Sequence, residues 1–172
     1  MTNTKSSDLV RFYRDNAALS GGKSLSDILA LDDGRLEEIH DYIQWLFPLQ
    51  ESSMFNPWAP LVTKEDQEAF RKIPELKKRL FNAALRMFNF YGFKWQTNGD
   101  IVPQNFDQQF ARWGFPGNHN HLRITRMLKS LCLLGQRPLA LAFFKALTKV
   151  YHGDGKGKIT VETFNFWKAA VK

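Results

Sequence analysis

Residues 138–151 read PLALAFFKALTKVY. Leu139, Ala142, Phe143, Ala146, Leu147 and Val150 fall at i, i+3, i+4, i+7, i+8 and i+11, one face of a 3.6-residue helix. Pro138 suits the first turn, where a missing N–H costs no hydrogen bond. The same spacing recurs on either side. Leu76, Leu80, Ala84, Met87, Phe88 and Tyr91 make a second stripe after Pro74, and Gly92 suits the left-handed residue that closes it. Leu9, Phe12 and Tyr13 make a short first stripe behind Ser6 or Ser7 as cap. Phe106 and Phe110 mark another helix, from about Gln104 to Trp113. Thr160 caps a last one through Val161, Phe164, Trp167 and Val171.

Caps and breakers place the remaining helices. Ser24 with Asp27, and Thr63 with Asp66, have capping-box spacing, with Asp as a shorter substitute for Glu. Asn118 or Asn120 caps a long helix that runs to Leu134 and stops at Gly135. Arg35–Phe47 reads as one helix with Leu36, Ile39, Ile43 and Phe47 on a stripe, ended by Pro48. Residues 48–62 read as a loop whose Phe55 and Trp58 pack back onto the body. The one β signal is Phe93–Trp95 and Ile101–Val102 around Asn98-Gly99, a hairpin dipeptide. The expectation is an all-α, single-domain bundle over residues 1–172, with about eight helices and at most one small β-hairpin.

Composition agrees with one packed core. The chain has 172 residues, 44% hydrophobic and 14% aromatic, which is ample apolar surface to offset the entropy of ordering. Cys132 is the single cysteine, so a disulfide scaffold is excluded. The apolar runs at Tyr42–Leu49 and Leu139–Leu147 fall far short of the ~20 residues of a membrane span. The first ten residues lack the apolar run of a signal peptide. The expectation is a soluble intracellular protein, cytoplasmic in the first instance.

Charge is unevenly spread. The chain has 24 Lys+Arg and 17 Asp+Glu, a net of +7. Residues 101–172 hold 11 basic and 3 acidic residues, so the whole excess lies there. Such asymmetry concerns partners and solubility rather than fold.

Three motif likenesses fail on their chemistry. Ala17–Ser24 (AALSGGKS) imitates a phosphate-binding loop, but a helix precedes it and no strand–loop–helix unit surrounds it. His152–Thr163 imitates a calcium loop, yet His152, Lys156 and Thr163 stand where anionic oxygens are needed. His119, His121 and Cys132 lack a fourth ligand for zinc, and the two histidines read as exposed. No metal, cofactor or catalytic residue is expected.

Two groups of residues stand out as binding candidates. Arg123, Arg126 and Lys129 recur every three residues, with Asn120 and Thr125 beside them and Leu122, Leu128, Leu131 and Leu134 as the buried side. Arginine suits bidentate recognition of carboxylate or phosphate. The second group is His40, Tyr42, Gln44 and Trp45, with His40 on the buried stripe beside Ile43 and Phe47.

Those two groups sit in strings that resemble one family. Tyr42-Ile43-Gln44-Trp45-Leu46-Phe47-Pro48 behind Leu36-Glu37 and His40 resembles a signature of the opioid growth factor receptor conserved region. Asn120, Leu122-Arg123-Ile124-Thr125-Arg126, Leu128-Lys129-Ser130-Leu131 and Leu134-Gly135 resemble its second signature. Asn56, Ala59, Leu61 and Thr63, then Phe90-Tyr91-Gly92, then Asn105-Phe106 with Phe110, match in order between them. Met127 for the usual Ile and His121 for a common Asn depart from the pattern. The resemblance implies a short member without the long extensions of the animal receptors. It also implies one helical domain with no known enzyme activity, an enkephalin-type peptide as ligand, and a nuclear-envelope association in animals.

The functional expectation is a non-enzymatic, receptor-like binding domain for a peptide or acidic protein. A nucleic-acid-binding helical domain, using the basic C-terminal part, is the second reading. An enzyme using His40 with a carboxylate is the third.

Overall fold

A computed structural model describes residues 7–18 and 22–172. Residues 19–21 of the phosphate-loop-like string Ala17–Ser24, and the alternative cap Ser6, lie outside the described residues. The chain forms two compact units, Met1–Ala83 and Ala84–Lys172.

The first unit holds α1 Asp8–Asp15, α2 Leu25–Leu29, α3 Asp33–Glu38, α4 Ile43–Leu46 and α5 Lys64–Lys72. α6 Pro74–Phe90 begins there. Both capping boxes form, Ser24 with Asp27 and Thr63 with Asp66. Asp66 is buried and accepts from the Thr63 N–H at 2.9 Å and the Thr63 hydroxyl at 3.0 Å. It also accepts from the hydroxyl of Ser7, which caps α1. One carboxylate therefore fixes the starts of two helices. Tyr13 seals this core from the other side: its ring meets Phe70 edge-on at 5.1 Å and its hydroxyl donates to the Leu46 carbonyl.

The continuous helix expected over Arg35–Phe47 is two short ones. α3 ends at Glu38 because Ile39 is extended, at φ −86° and ψ 132°. The Tyr42 hydroxyl donates to the Leu36 carbonyl at 3.0 Å, a bond that spans the break. The apolar stripe survives the break: Leu36, Ile43, Leu46 and Phe47 are buried. His40 does not follow it and is exposed.

The loop after Pro48 also departs from expectation. Asn56 donates from its amide to the Asp41 carbonyl at 3.0 Å, and the Val62 N–H reaches the Leu49 carbonyl at 2.9 Å. Those bonds hold the backbone, and the apolar side chains point outward. Met54 is 92% exposed, Phe55 75% and Trp58 86%.

The second unit contains the end of α6, then β1 Phe93–Trp95, β2 Ile101–Pro103, α7 Phe106–Trp113, α8 His119–Leu133, α9 Arg137–His152 and α10 Val161–Ala170. β1 and β2 pair antiparallel with Trp95 opposite Ile101, around the expected Asn98-Gly99 turn. α9 packs on β2, α8 and α10, and its Phe143 is the hub. That ring meets Phe88 at 4.5 Å, Phe93 at 5.7 Å and Tyr91 at 6.3 Å. The architecture is mainly α, with ten helices and one two-stranded sheet among the described residues.

Candidate functional site

Helix α8 carries one candidate group. Asn118, the N-cap, accepts from the Asn120 N–H at 2.8 Å. Asn120 is fully buried and its amide oxygen lies 3.4 Å from Arg123 Nη1. Arg123 is itself only 5% exposed. The Thr125 hydroxyl donates to the His121 carbonyl at 3.0 Å, a bond back along its own helix. Arg126 is half-buried and Lys129 is exposed.

The three cations thus do not share one open face. A step of three residues turns about 300° on a helix, so each cation falls about 60° behind the one before. Arg123 sinks into the second unit while Lys129 stands in solvent. Leu122, expected on the buried side, is 60% exposed in its place.

His121 is buried, against the expectation of an exposed imidazole. It lies between two indoles, with centroids 6.3 Å from Trp113 and 5.8 Å from Trp167, both edge-on. Its Nε2 is 2.9 Å from the Trp113 carbonyl. Burial holds its pKa below the ordinary imidazole value, so the neutral form with Nε2–H donating is the one that fits. Burial also pushes the Cys132 thiol up, which favours its protonated form.

The other candidate group belongs to the first unit. Tyr42 and Trp45 are core side chains, Tyr42 bonded to the Leu36 carbonyl and Trp45 lying 5.7 Å from the Phe12 ring. Gln44 is buried, and its Oε1 has no hydrogen-bond partner among the described residues. His40 and Asp41 are exposed beside half-buried Glu37.

What remains accessible is a set of lysines in the second unit. That unit holds 13 basic and 4 acidic residues, a net of +9, against 11 and 13 in the first. Lys129, Lys149, Lys156 and Lys168 are exposed and have no carboxylate within ion-pair distance among the described residues. Lys145 lies 3.5 Å from Asp100. Arg137 donates to the Val171 carbonyl at 3.0 Å.

One feature in this unit was missed by the sequence reading. A cleft of about 520 Å³ opens where α9 ends, lined by Tyr151, His152, Lys156, Gly157, Ile159, Thr160 and Val161. The signal was present in the glycine-rich string that fails as a calcium loop: its lysines repel a cation and attract an anion. Among the described residues no three His, Cys, Asp or Glu side chains come together to hold a metal ion. No helix there is long and apolar enough to cross a membrane.

The family model described as the opioid growth factor receptor conserved region matches residues 3–172. The opioid growth factor receptor of the rat is 44% identical over 124 residues, covering 68% of this chain and 21% of the receptor. The human opioid growth factor receptor is 38% identical over 145 residues, 78% of this chain and 21% of the receptor. Opioid growth factor receptor-like protein 1 of Xenopus tropicalis is 37% identical over 132 residues, 73% of this chain and 25% of the relative. The chain therefore spans about a fifth to a quarter of the length of these relatives. No solved structure matches it.

Proposed function

The chain belongs to the opioid growth factor receptor conserved-region family, and from that premise we propose that it is a non-enzymatic, receptor-like module that binds an acidic peptide or protein segment. The observation that carries this reading is the charge difference between the units, +9 against −2, together with exposed lysines that lack internal carboxylates. Surface cations left unpaired raise the local concentration of acidic partners and speed their encounter. An enkephalin-type ligand follows from the resemblance of the receptors alone, and the charge argument selects for acidic peptides within that class. A soluble, cytoplasmic location is part of the same proposal.

A catalytic reading has less support. Cys132 is held as a neutral thiol and His121 is committed to the Trp113 carbonyl, so neither is poised as nucleophile or base. Nucleic acid is the second reading, favoured by the same +9. Fluorescence anisotropy with a labelled Glu-rich peptide and a labelled single-stranded oligonucleotide of equal charge separates the two. Tighter binding of the peptide supports the module proposed here, and tighter binding of the oligonucleotide overturns it in favour of the second reading.

A further inference from the structure

We propose that the cleft at the end of α9 receives a carboxylate of the bound peptide together with the apolar side chain next to it; this rests on the peptide-binding reading above. Lys156 and His152 line the cleft, and no carboxylate does. The two acids closest in sequence, Asp154 and Glu162, are exposed and lie outside the lining. Lys158 is turned elsewhere, its ammonium 5.2 Å over the Phe110 ring.

The backbone adds donors. The N–H groups of Gly157, Thr160 and Val161 reach no acceptor among the described residues, while that of Gly155 reaches the Val150 carbonyl of α9 and those of Lys156, Lys158 and Ile159 close turns within the loop. The free N–H groups thus belong to residues that line the cleft. A carboxylate takes such donors and an ammonium together, because it carries about four lone-pair sites.

The apolar part is equally fixed. Tyr151 is stacked on Phe164 at 4.1 Å and 8°, and Phe164 on Phe144 at 5.7 Å, so the Tyr151 ring is held in place. Ile159 is buried and Val161 is 64% exposed. A Val so exposed beside a held aromatic ring offers a neighbouring apolar side chain a surface at low entropic cost. Gly157, at φ +76° with open space where a Cβ would stand, leaves the rim clear.

The test uses the whole chain labelled with ¹⁵N and three acetylated probes. They are Gly-Gly-Phe with a free C-terminal carboxylate, Gly-Glu-Phe amide with a side-chain carboxylate, and Gly-Gly-Phe amide with none. The expected result is that carboxylate-bearing probes shift the Gly157, Thr160 and Val161 amide resonances and the uncharged probe does not. Comparing the first two probes says which carboxylate the cleft prefers. Lys156→Ala weakens that binding about fivefold and Lys156→Glu about tenfold or more, whereas Lys64→Glu, the same charge change at an exposed position of α5 in the first unit, leaves it within about twofold. Binding that shifts other residues, or that survives Lys156→Glu, overturns the cleft assignment while leaving the peptide reading intact. Absence of any peptide binding overturns both.

Discussion

The indole N–H of Trp167 donates to the backbone carbonyl of His121 across 3.2 Å, joining α10 to α8 in the core of the second unit. The same carbonyl accepts the Thr125 hydroxyl at 3.0 Å. Trp167→Phe therefore removes one buried bond without orphaning its acceptor, and is expected to cost about 1 kcal/mol. Trp167→Ala leaves a cavity as well and is expected to cost about 3–5 kcal/mol. Urea unfolding of both variants checks the pair. Equal losses would mean that the indole N–H, rather than the ring volume, dominates.

His121 ties stability to pH. Its unfolded form titrates near 6.5, and burial lowers the folded value. Below 6.5 the unfolded chain therefore binds more protons at this site than the folded one. The stability contributed by the neutral imidazole is complete above 6.5 and is lost as pH falls through the depressed folded value. Urea midpoints measured from neutral to mildly acid pH should drop more steeply in the wild type than in His121→Gln. Parallel profiles would show that another group sets the slope.

Asp66 joins the caps of α1 and α5, accepting from Ser7, the Thr63 hydroxyl and the Thr63 N–H. Loss of a single cap costs about 1 kcal/mol. Asp66→Ala removes the carboxylate that two caps share and leaves buried donors unmet, so about 2–3 kcal/mol is expected. Thr63→Ala should cost less, because Asp66 keeps Ser7. A thermal melt in which the two variants coincide would refute the shared role.

Gly92 meets two demands at once. It sits at φ +89°, and a Cβ there would stand 2.9 Å from the Phe106 Cα and 3.0 Å from the Gln109 Cβ. Gly92→Ala is expected to cost about 2 kcal/mol or more through left-handed strain and forced separation of α6 from α7. Gly99→Ala is the comparison: its φ is the same, +89°, but nothing lies within 4 Å. Its cost should be about 1 kcal/mol, which isolates the steric part at Gly92. Chemical denaturation of both reads the difference.

Helix ends were legible where a local rule sets them. Ser24 with Asp27, Thr63 with Asp66, Thr160 and Asn98-Gly99 each act within three or four residues, and each forms in the structure. The break at Ile39 was not legible, because no Gly or Pro marks it and the apolar stripe continues across it. The bond that stabilises it, Tyr42 to the Leu36 carbonyl, is made through a side chain that spacing cannot place. The same limit explains α8. Periodicity ranked Leu122 above Arg123 for burial, yet Arg123 is buried beside Asn120 and Leu122 faces out. Trp58 and Phe55 were expected to pack, but their loop is held by the Asn56 side-chain amide and the Val62 N–H, each on a backbone carbonyl, which leaves the rings free of that duty.

The most direct test of the account is the affinity of a labelled Glu-rich peptide as salt rises from about 0.05 to about 0.3 M, set against a single-stranded oligonucleotide of equal charge. The expected result is saturable peptide binding that weakens with salt and stays tighter than oligonucleotide binding throughout. Peptide affinity below that of the oligonucleotide, or no saturable peptide binding at the lowest salt, would contradict it.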